Sequence, residues 1–152
     1  MSFSRSDLPS DLLVKAWMNP PDHRVTPNDT VEDALGIMRA ANVRHLLVME
    51  DDELCGVVTD RDLQRPDYQD GRPLEVEELY LIGQDLRVRD VMSEEVITIE
   101  ADAPTARAAQ LMVDNKFNCL PVVRDDALVG ILTSSDLLAA LVHIVDPDLF
   151  EG

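Results

Sequence analysis

The chain has 152 residues, 45% of them apolar, and a formal net charge of −17 from 30 acidic against 13 basic residues. That size supports one respectable core, best shared by two half-domains, and the charge argues against non-specific binding to nucleic acid or to an anionic membrane surface. The longest strongly apolar stretch, Leu137 to Val145, is far short of a membrane span. Met1 to Ser10 lacks a basic-then-apolar signal pattern, so a cytoplasmic protein is expected. Cys55 and Cys119 have no metal-ligand spacing and read as buried strand residues. His23, His45 and His143 fall in different elements, so no metal site is expected.

In chain order, a helical turn is expected over Leu12 to Met18 and an extended piece around His23 to Thr26. Asp29-Thr30 then cap a helix carrying Ala34, Leu35, Ile37 and Met38 at helical spacing. Leu46 to Met49 reads as a strand, Asp51-Asp52-Glu53 as a tight polar turn and Leu54 to Val58 as the returning strand. Another helix starts just after Thr59. Gln64 to Arg87 is long for a connection, but Leu79, Tyr80, Leu81 and Ile82 are apolar enough to dock, so an ordered linker is expected. The order then returns: a turn over Val88 to Met92, an extended piece from Val96 to Glu100, and a helix opened by Asp102-Ala103-Pro104 with Ala108, Ala109, Leu111 and Met112. Leu120 to Val123, the turn Asp125-Asp126-Ala127, Leu128 to Leu132 and a helix after Thr133 complete it. Each half is β-α-β-β-α, an α+β chain with mixed sheets, divided as 1–66, 67–87 and 88–152.

The halves are copies. Gly56-Val57-Val58-Thr59-Asp60-Arg61-Asp62-Leu63 comes back 74 residues later as Gly130-Ile131-Leu132-Thr133-Ser134-Ser135-Asp136-Leu137, and positions 14 to 63 hold 13 identities at that offset. Composition alone would give about three or four. Solenoids need at least three stacked repeats, so two copies suggest halves that cover one another across a pseudo-two-fold axis, with paired clefts.

A hydroxyl followed three residues later by a carboxylate, where a strand turns into a helix, is first of all a capping arrangement. The same geometry serves a ligand. Free N–H groups and a hydroxyl at a helix N-terminus hold a phosphate, and a nearby carboxylate can accept from both ribose hydroxyls. Duplication at matched positions favours the second use. No nucleophile–base pair, Walker loop or dinucleotide glycine fingerprint is present, so no enzymatic activity is expected.

On the repeated Gly-x-x-Thr-x-x-Asp-Leu signature, on Leu120-Pro121-Val122-Val123 and on Val91-Met92, the chain resembles a CBS-domain pair, the Bateman module, over about residues 12 to 145. The resemblance implies regulatory binding of adenine nucleotides or related adenosyl compounds in two clefts between the repeats. Asp62 and Asp136 resemble the ribose-binding carboxylates, and Thr59 and Thr133 the hydroxyls nearest the phosphates. The base would lie among Val25, Ala34, Leu54 and Val57 in the first cleft, and Ile99, Ala108, Leu128 and Ile131 in the second. Arg61, Arg44 and His45 match positions where family members bring phosphate ligands. In the second repeat Ser135 replaces Arg61, and Asn118 and Cys119 replace Arg44 and His45, so charged nucleotides are expected to favour the first cleft.

The expected function is a stand-alone regulatory module that senses AMP, ADP or ATP, with S-adenosylmethionine and NADH as further ligands, needs no cofactor, and signals to a separate target protein. The alternative is a protein-association module with degenerate clefts. A homodimer is expected because Leu137 to Val145 is apolar almost all the way round. Ala34, Leu35, Ile37, Met38, Ala40 and Ala41 show the same excess, and family pairs associate through these helices, head-to-head or head-to-tail.

Overall fold

The computed structural model describes residues 9–64, 68–69, 72–73, 86–146 and 148. Two 3-10 turns, Ser10–Leu12 and Val14–Ala16, stand where a helical turn is expected, followed by β1 (Arg24–Val25), α1 (Val31–Ala41), β2 (His45–Glu50), β3 (Glu53–Thr59) and α2 (Asp60–Gln64). β4 (Tyr68–Gln69) pairs antiparallel with β5 (Arg72–Pro73), and α3 (Val88–Val91) follows. Then β6 (Ile99–Glu100), α4 (Thr105–Asn115), β7 (Cys119–Arg124), β8 (Ala127–Thr133) and α5 (Ser134–Val145) repeat the first pattern. Apart from β4, β5, Leu86 and Arg87, the linker expected over 67–87, with Leu79 to Ile82 docked, lies outside the described residues.

Each repeat makes a three-stranded mixed sheet: β1 runs parallel to β2 and β2 antiparallel to β3, and β6, β7 and β8 do the same. Local chemistry sets the boundaries. Asp33 N–H donates to Thr30 Oγ1 at 3.0 Å and Thr30 N–H to the Asp33 carboxylate at 3.4 Å, a reciprocal cap that starts α1. Asn42 (φ 54°) ends α1 and Lys116 (φ 58°) ends α4, both left-handed. The hairpins turn on Asp51-Asp52 and Asp125-Asp126, each pair at φ 51° and 66°, a region that Asp tolerates better than most residues. α4 has Pro104 at its N-cap and no side-chain cap. Asp102 instead pairs with Lys15 Nζ at 2.9 Å.

The contacts divide the chain into two units: residues 9–21 with 97–146 and 148, and the described part of Asp22–Val96. The division expected at 1–66, 67–87 and 88–152 leaves each opening turn with the repeat that follows it in sequence, and here the turns are exchanged. Val14 N–H donates to Ala103 O at 2.9 Å and Lys15 N–H to Ala101 O at 2.9 Å, so the first turn packs on the second repeat. At the matching positions Val88 N–H donates to Asp29 O at 2.8 Å and Arg89 N–H to Pro27 O at 3.0 Å, so the second turn packs on the first repeat. The cores follow. Val88 joins Val25, Val31, Ala34, Met38, Leu46, Val48 and Val58, whereas Val14 joins Ile99, Ala108, Met112, Leu120, Val122 and Leu132. Full burial of one valine stabilises by roughly 1.5–3 kcal/mol, enough to anchor a short turn. Trp17 adds to the anchor, with Nε1 donating to Asp11 O at 2.8 Å and its ring 5.5 Å from that of His143 on α5.

Candidate functional site

In the first repeat the hairpin of β2 and β3 assembles the predicted polar residues. His45 lies opposite Thr59 in the sheet register, and Asp60 N–H donates to Arg44 O at 2.9 Å. Thr59 N–H donates to Asp62 Oδ2 at 3.0 Å, and Asp62 N–H to Thr59 Oγ1 at 3.1 Å. Arg44, His45, Thr59, Arg61 and Asp62 therefore gather where β3 passes into α2. Arg44 and Arg61 are exposed, and neither guanidinium makes an ion pair with a described residue. Two cations beside a hydroxyl and a carboxylate suit an anionic group carried on a diol.

The second repeat copies the backbone but not the chemistry. Ser134 N–H donates to Asn118 O at 2.8 Å, and Cys119 lies opposite Thr133. Thr133 N–H and Oγ1 both donate to Asp136 Oδ2, at 2.7 and 2.9 Å. Ser135 is exposed where Arg61 stands in the first repeat. A residue that motif reading passes over also enters: Asn19 Nδ2 donates to Asp136 Oδ1 at 3.1 Å and Oδ2 at 3.0 Å.

The apolar residues expected around a base are divided between the two faces of each sheet. Residues directly opposite one another in a sheet share a face. Val25 lies opposite Val48, and Gly56 opposite Val48, on the face that Ala34 packs against. Val57 lies opposite Leu47, and Leu54 opposite Met49, two residues along β2 and so on the other face. The extra residue is Cys55, where the register shifts between Val48 and Met49; this bulge carries Leu54 across to the side of Val57. The second repeat divides alike, with Ile99 and Ala108 in the core and Leu128 and Ile131, opposite Val123 and Pro121, on the far face. Val25 and Ala34, 3% and 0% exposed, therefore support the sheet, while half-buried Leu54 and Val57 offer surface. Burial pushes the Cys55 thiol up, reinforced by the Glu50 carboxylate, and its Sγ donates to Val48 O at 3.3 Å.

The glycine of each signature is explained by the exchanged turns. Asn19 forms a two-way backbone bridge with Ile131, and Ser93 with Val57. A Cβ on Gly56 would meet Ser93 O at 2.8 Å, and one on Gly130 would meet Met18 Sδ at 2.8 Å and Asn19 O at 2.9 Å. Only glycine leaves room for that approach.

The family profile described as the CBS domain matches residues 14–65 and 88–143, the two repeats just described. The chain belongs to the CBS-domain family. Among relatives of this CBS-domain pair, the mitochondrial CBS domain-containing protein CBSX3 of Arabidopsis thaliana is 34% identical over 123 residues, covering 78% of this chain and 55% of that protein. The chain thus spans about half the length of CBSX3. Among solved structures, the CBS-pair protein CBSX2 from Arabidopsis thaliana superposes with a TM-score of 0.73 at 31% identity, over 88% of this chain and 96% of that one. A structure of CBSX2 in complex with AMP gives 0.69 at 32% identity, over 88% and 98%. Among the described residues no helix is long and apolar enough to cross a membrane.

Proposed function

We propose that this CBS-domain pair is a regulatory module that binds an adenine nucleotide in its first repeat and reports occupancy to a separate partner protein. AMP leads, because the similar CBSX2 has been crystallised with it; ADP, ATP, S-adenosylmethionine and NADH share the adenosyl group and form the test panel. The reading is of a binding module rather than an enzyme, and it needs no cofactor. The observation that carries it is the Asp62 carboxylate. Oδ2 accepts from Thr59 N–H, Oδ1 has no donor among the described residues, and Arg44 and Arg61 lie at the same end of the hairpin. A ribose diol supplies the missing donors and a phosphate the missing counter-charge. Signalling requires that the ligand bind two shapes of the module unequally.

Association is part of the proposal. The apolar excess expected on α1 is largely taken up at home, with Ala34 and Met38 buried and Leu35 and Ile37 packed on the core, but α5 leaves Leu138 63% and Leu141 55% exposed. A second copy of the chain is the assigned occupant of that face. The cytoplasmic location belongs to the same reading; cell fractionation separates it from the mitochondrial compartment named for CBSX3.

Calorimetry with the panel tests the site. Asp62→Ala should remove ribose hydrogen bonds worth about 1.5–3 kcal/mol and weaken AMP binding roughly tenfold to a hundredfold. Unchanged affinity removes Asp62 from the site. A melting temperature unmoved by all five compounds leaves protein association as the function, since a ligand specific for the folded state must raise it.

A further inference from the structure

We propose that Asn19 decides which of the two repeats takes the ligand: its carboxamide occupies the Asp136 carboxylate and closes the second site, while the matching Ser93 leaves the first site open. This rests on the nucleotide reading above and deepens it. Asn19 and Ser93 stand 74 residues apart, at equivalent positions of the two exchanged turns. Their backbones are held alike. Asn19 N–H donates to Ile131 O at 2.8 Å and Ile131 N–H to Asn19 O at 2.9 Å; Ser93 N–H donates to Val57 O at 3.0 Å and Val57 N–H to Ser93 O at 3.1 Å. The difference lies in side-chain reach. The longer Asn19 side chain bridges both Asp136 oxygens with Nδ2, whereas the Ser93 hydroxyl makes no hydrogen bond with a described residue. Only the amide nitrogen can face a carboxylate, since the opposite flip would set oxygen against oxygen.

A carboxylate has about four acceptor positions. Asp136 Oδ2 already meets Thr133 N–H, Thr133 Oγ1 and Asn19 Nδ2, and Oδ1 meets the same amide. A ribose diol arriving there must displace a donor that its own backbone bridge has pre-positioned, and such a tethered competitor acts at high effective concentration. At Asp62, among the described residues, Thr59 N–H alone donates, to Oδ2, and the diol meets an Oδ1 to which none of them donates. Of two copies of one signature, one is thus open and the other self-occupied, a difference that Asn19 adds to the absence of arginine at Asn118 and Ser135.

Calorimetry of the full chain with AMP tests this. The unmodified protein should take one AMP per chain, lost in Asp62→Ala. Asn19→Ser, which gives the second repeat the residue of the first, should add a second AMP, bound at least about tenfold more tightly than that repeat binds it in the unmodified chain and lost again on Asp136→Ala. The reciprocal Ser93→Asn should weaken the first site about tenfold, and it reads the same competition should Asn19→Ser disturb folding. A purely structural role predicts no gain of binding. Should the unmodified chain bind AMP through Asp62 while neither exchange alters stoichiometry or affinity, the role of Asn19 is overturned and the nucleotide reading stands. Should no variant bind AMP, both fall together.

Discussion

Val14 and Ala103 are joined by a backbone hydrogen bond of 2.9 Å, so the first turn of the chain is built into the second repeat. Val14 is fully buried there. Val14→Ala removes two methyl groups at about 0.8 kcal/mol each and leaves a cavity, a loss of about 2 kcal/mol. Hydrogen exchange should quicken in β6, β7 and β8, not in β1, β2 and β3. Faster exchange confined to the first repeat would contradict the exchanged packing.

The close approach of each turn to a glycine gives a second expectation. Gly56→Ala and Gly130→Ala drive a methyl group to within 2.8 Å of Ser93 O and of Met18 Sδ. Such overpacking costs about 1–3 kcal/mol. Gly130→Ala should be at least as damaging as Gly56→Ala, because each methyl meets a backbone carbonyl that cannot swing aside, Asn19 O at 2.9 Å and Ser93 O at 2.8 Å, and the one at Gly130 presses on Met18 Sδ at 2.8 Å as well. Urea denaturation of the two variants checks the ranking.

The repeated hairpin and caps were legible in sequence because their causes are local: Thr30 with Asp33, Thr59 with Asp62 and Thr133 with Asp136 each act over three residues. The exchange of turns was not. Val14 and Val88 are identical, as are Met18 and Met92, so the pattern reads the same whichever repeat each turn covers. The division of Leu54 from Val25 was hidden for another reason: one extra residue, Cys55, reverses the alternation of faces along β3. Asn19 meets Asp136 across 117 residues, and no local spacing announces such a contact.

Charge placement predicts a difference between the repeats. Arg44→Ala and Arg61→Ala should each weaken ATP binding, because in a chain of net charge −17 local cations must offset repulsion of a polyanion. Ser135→Ala should leave it unchanged. Titration at two ionic strengths adds a check, since salt should weaken ATP binding to the unmodified chain more than to either arginine variant. Intact binding in both arginine variants, with loss in Ser135→Ala, would reverse the assignment of the sites.

Lys15 ties the first turn to Asp102 through an exposed ion pair. Its ammonium, by hydrogen bond first and then by charge, holds the Asp102 carboxyl below its ordinary value; slight desolvation opposes this and Arg124, 3.7 Å away, assists. A carboxyl depressed in the folded state stabilises fully above its unfolded pKa of about 4, and that contribution disappears as pH falls through the folded value. Asp102→Asn should therefore lower stability at neutral pH and lose its effect in acid. Urea unfolding across that range checks the sign, and added salt should shrink the difference because the pair is exposed.

The apolar face of α5 gives the last expectation. Leu138, Leu141, Val142 and Val145 are 63%, 55%, 38% and 74% exposed and recur at i, i+3, i+4 and i+7, one stripe of the helix. Ala140 is buried and Leu137 packs on the core, so the helix holds its own unit with one side and presents the stripe with the other. Soluble monomers rarely leave such a patch contiguous and bare. Light scattering at micromolar concentration should give the mass of a dimer, with and without AMP. Because Leu141 is more than half exposed, Leu141→Glu places its charge outside the core and should yield a folded monomer with unchanged far-ultraviolet circular dichroism. A monomeric mass for the unmodified chain would refute the dimer, and a dimeric mass for Leu141→Glu would move the interface away from α5.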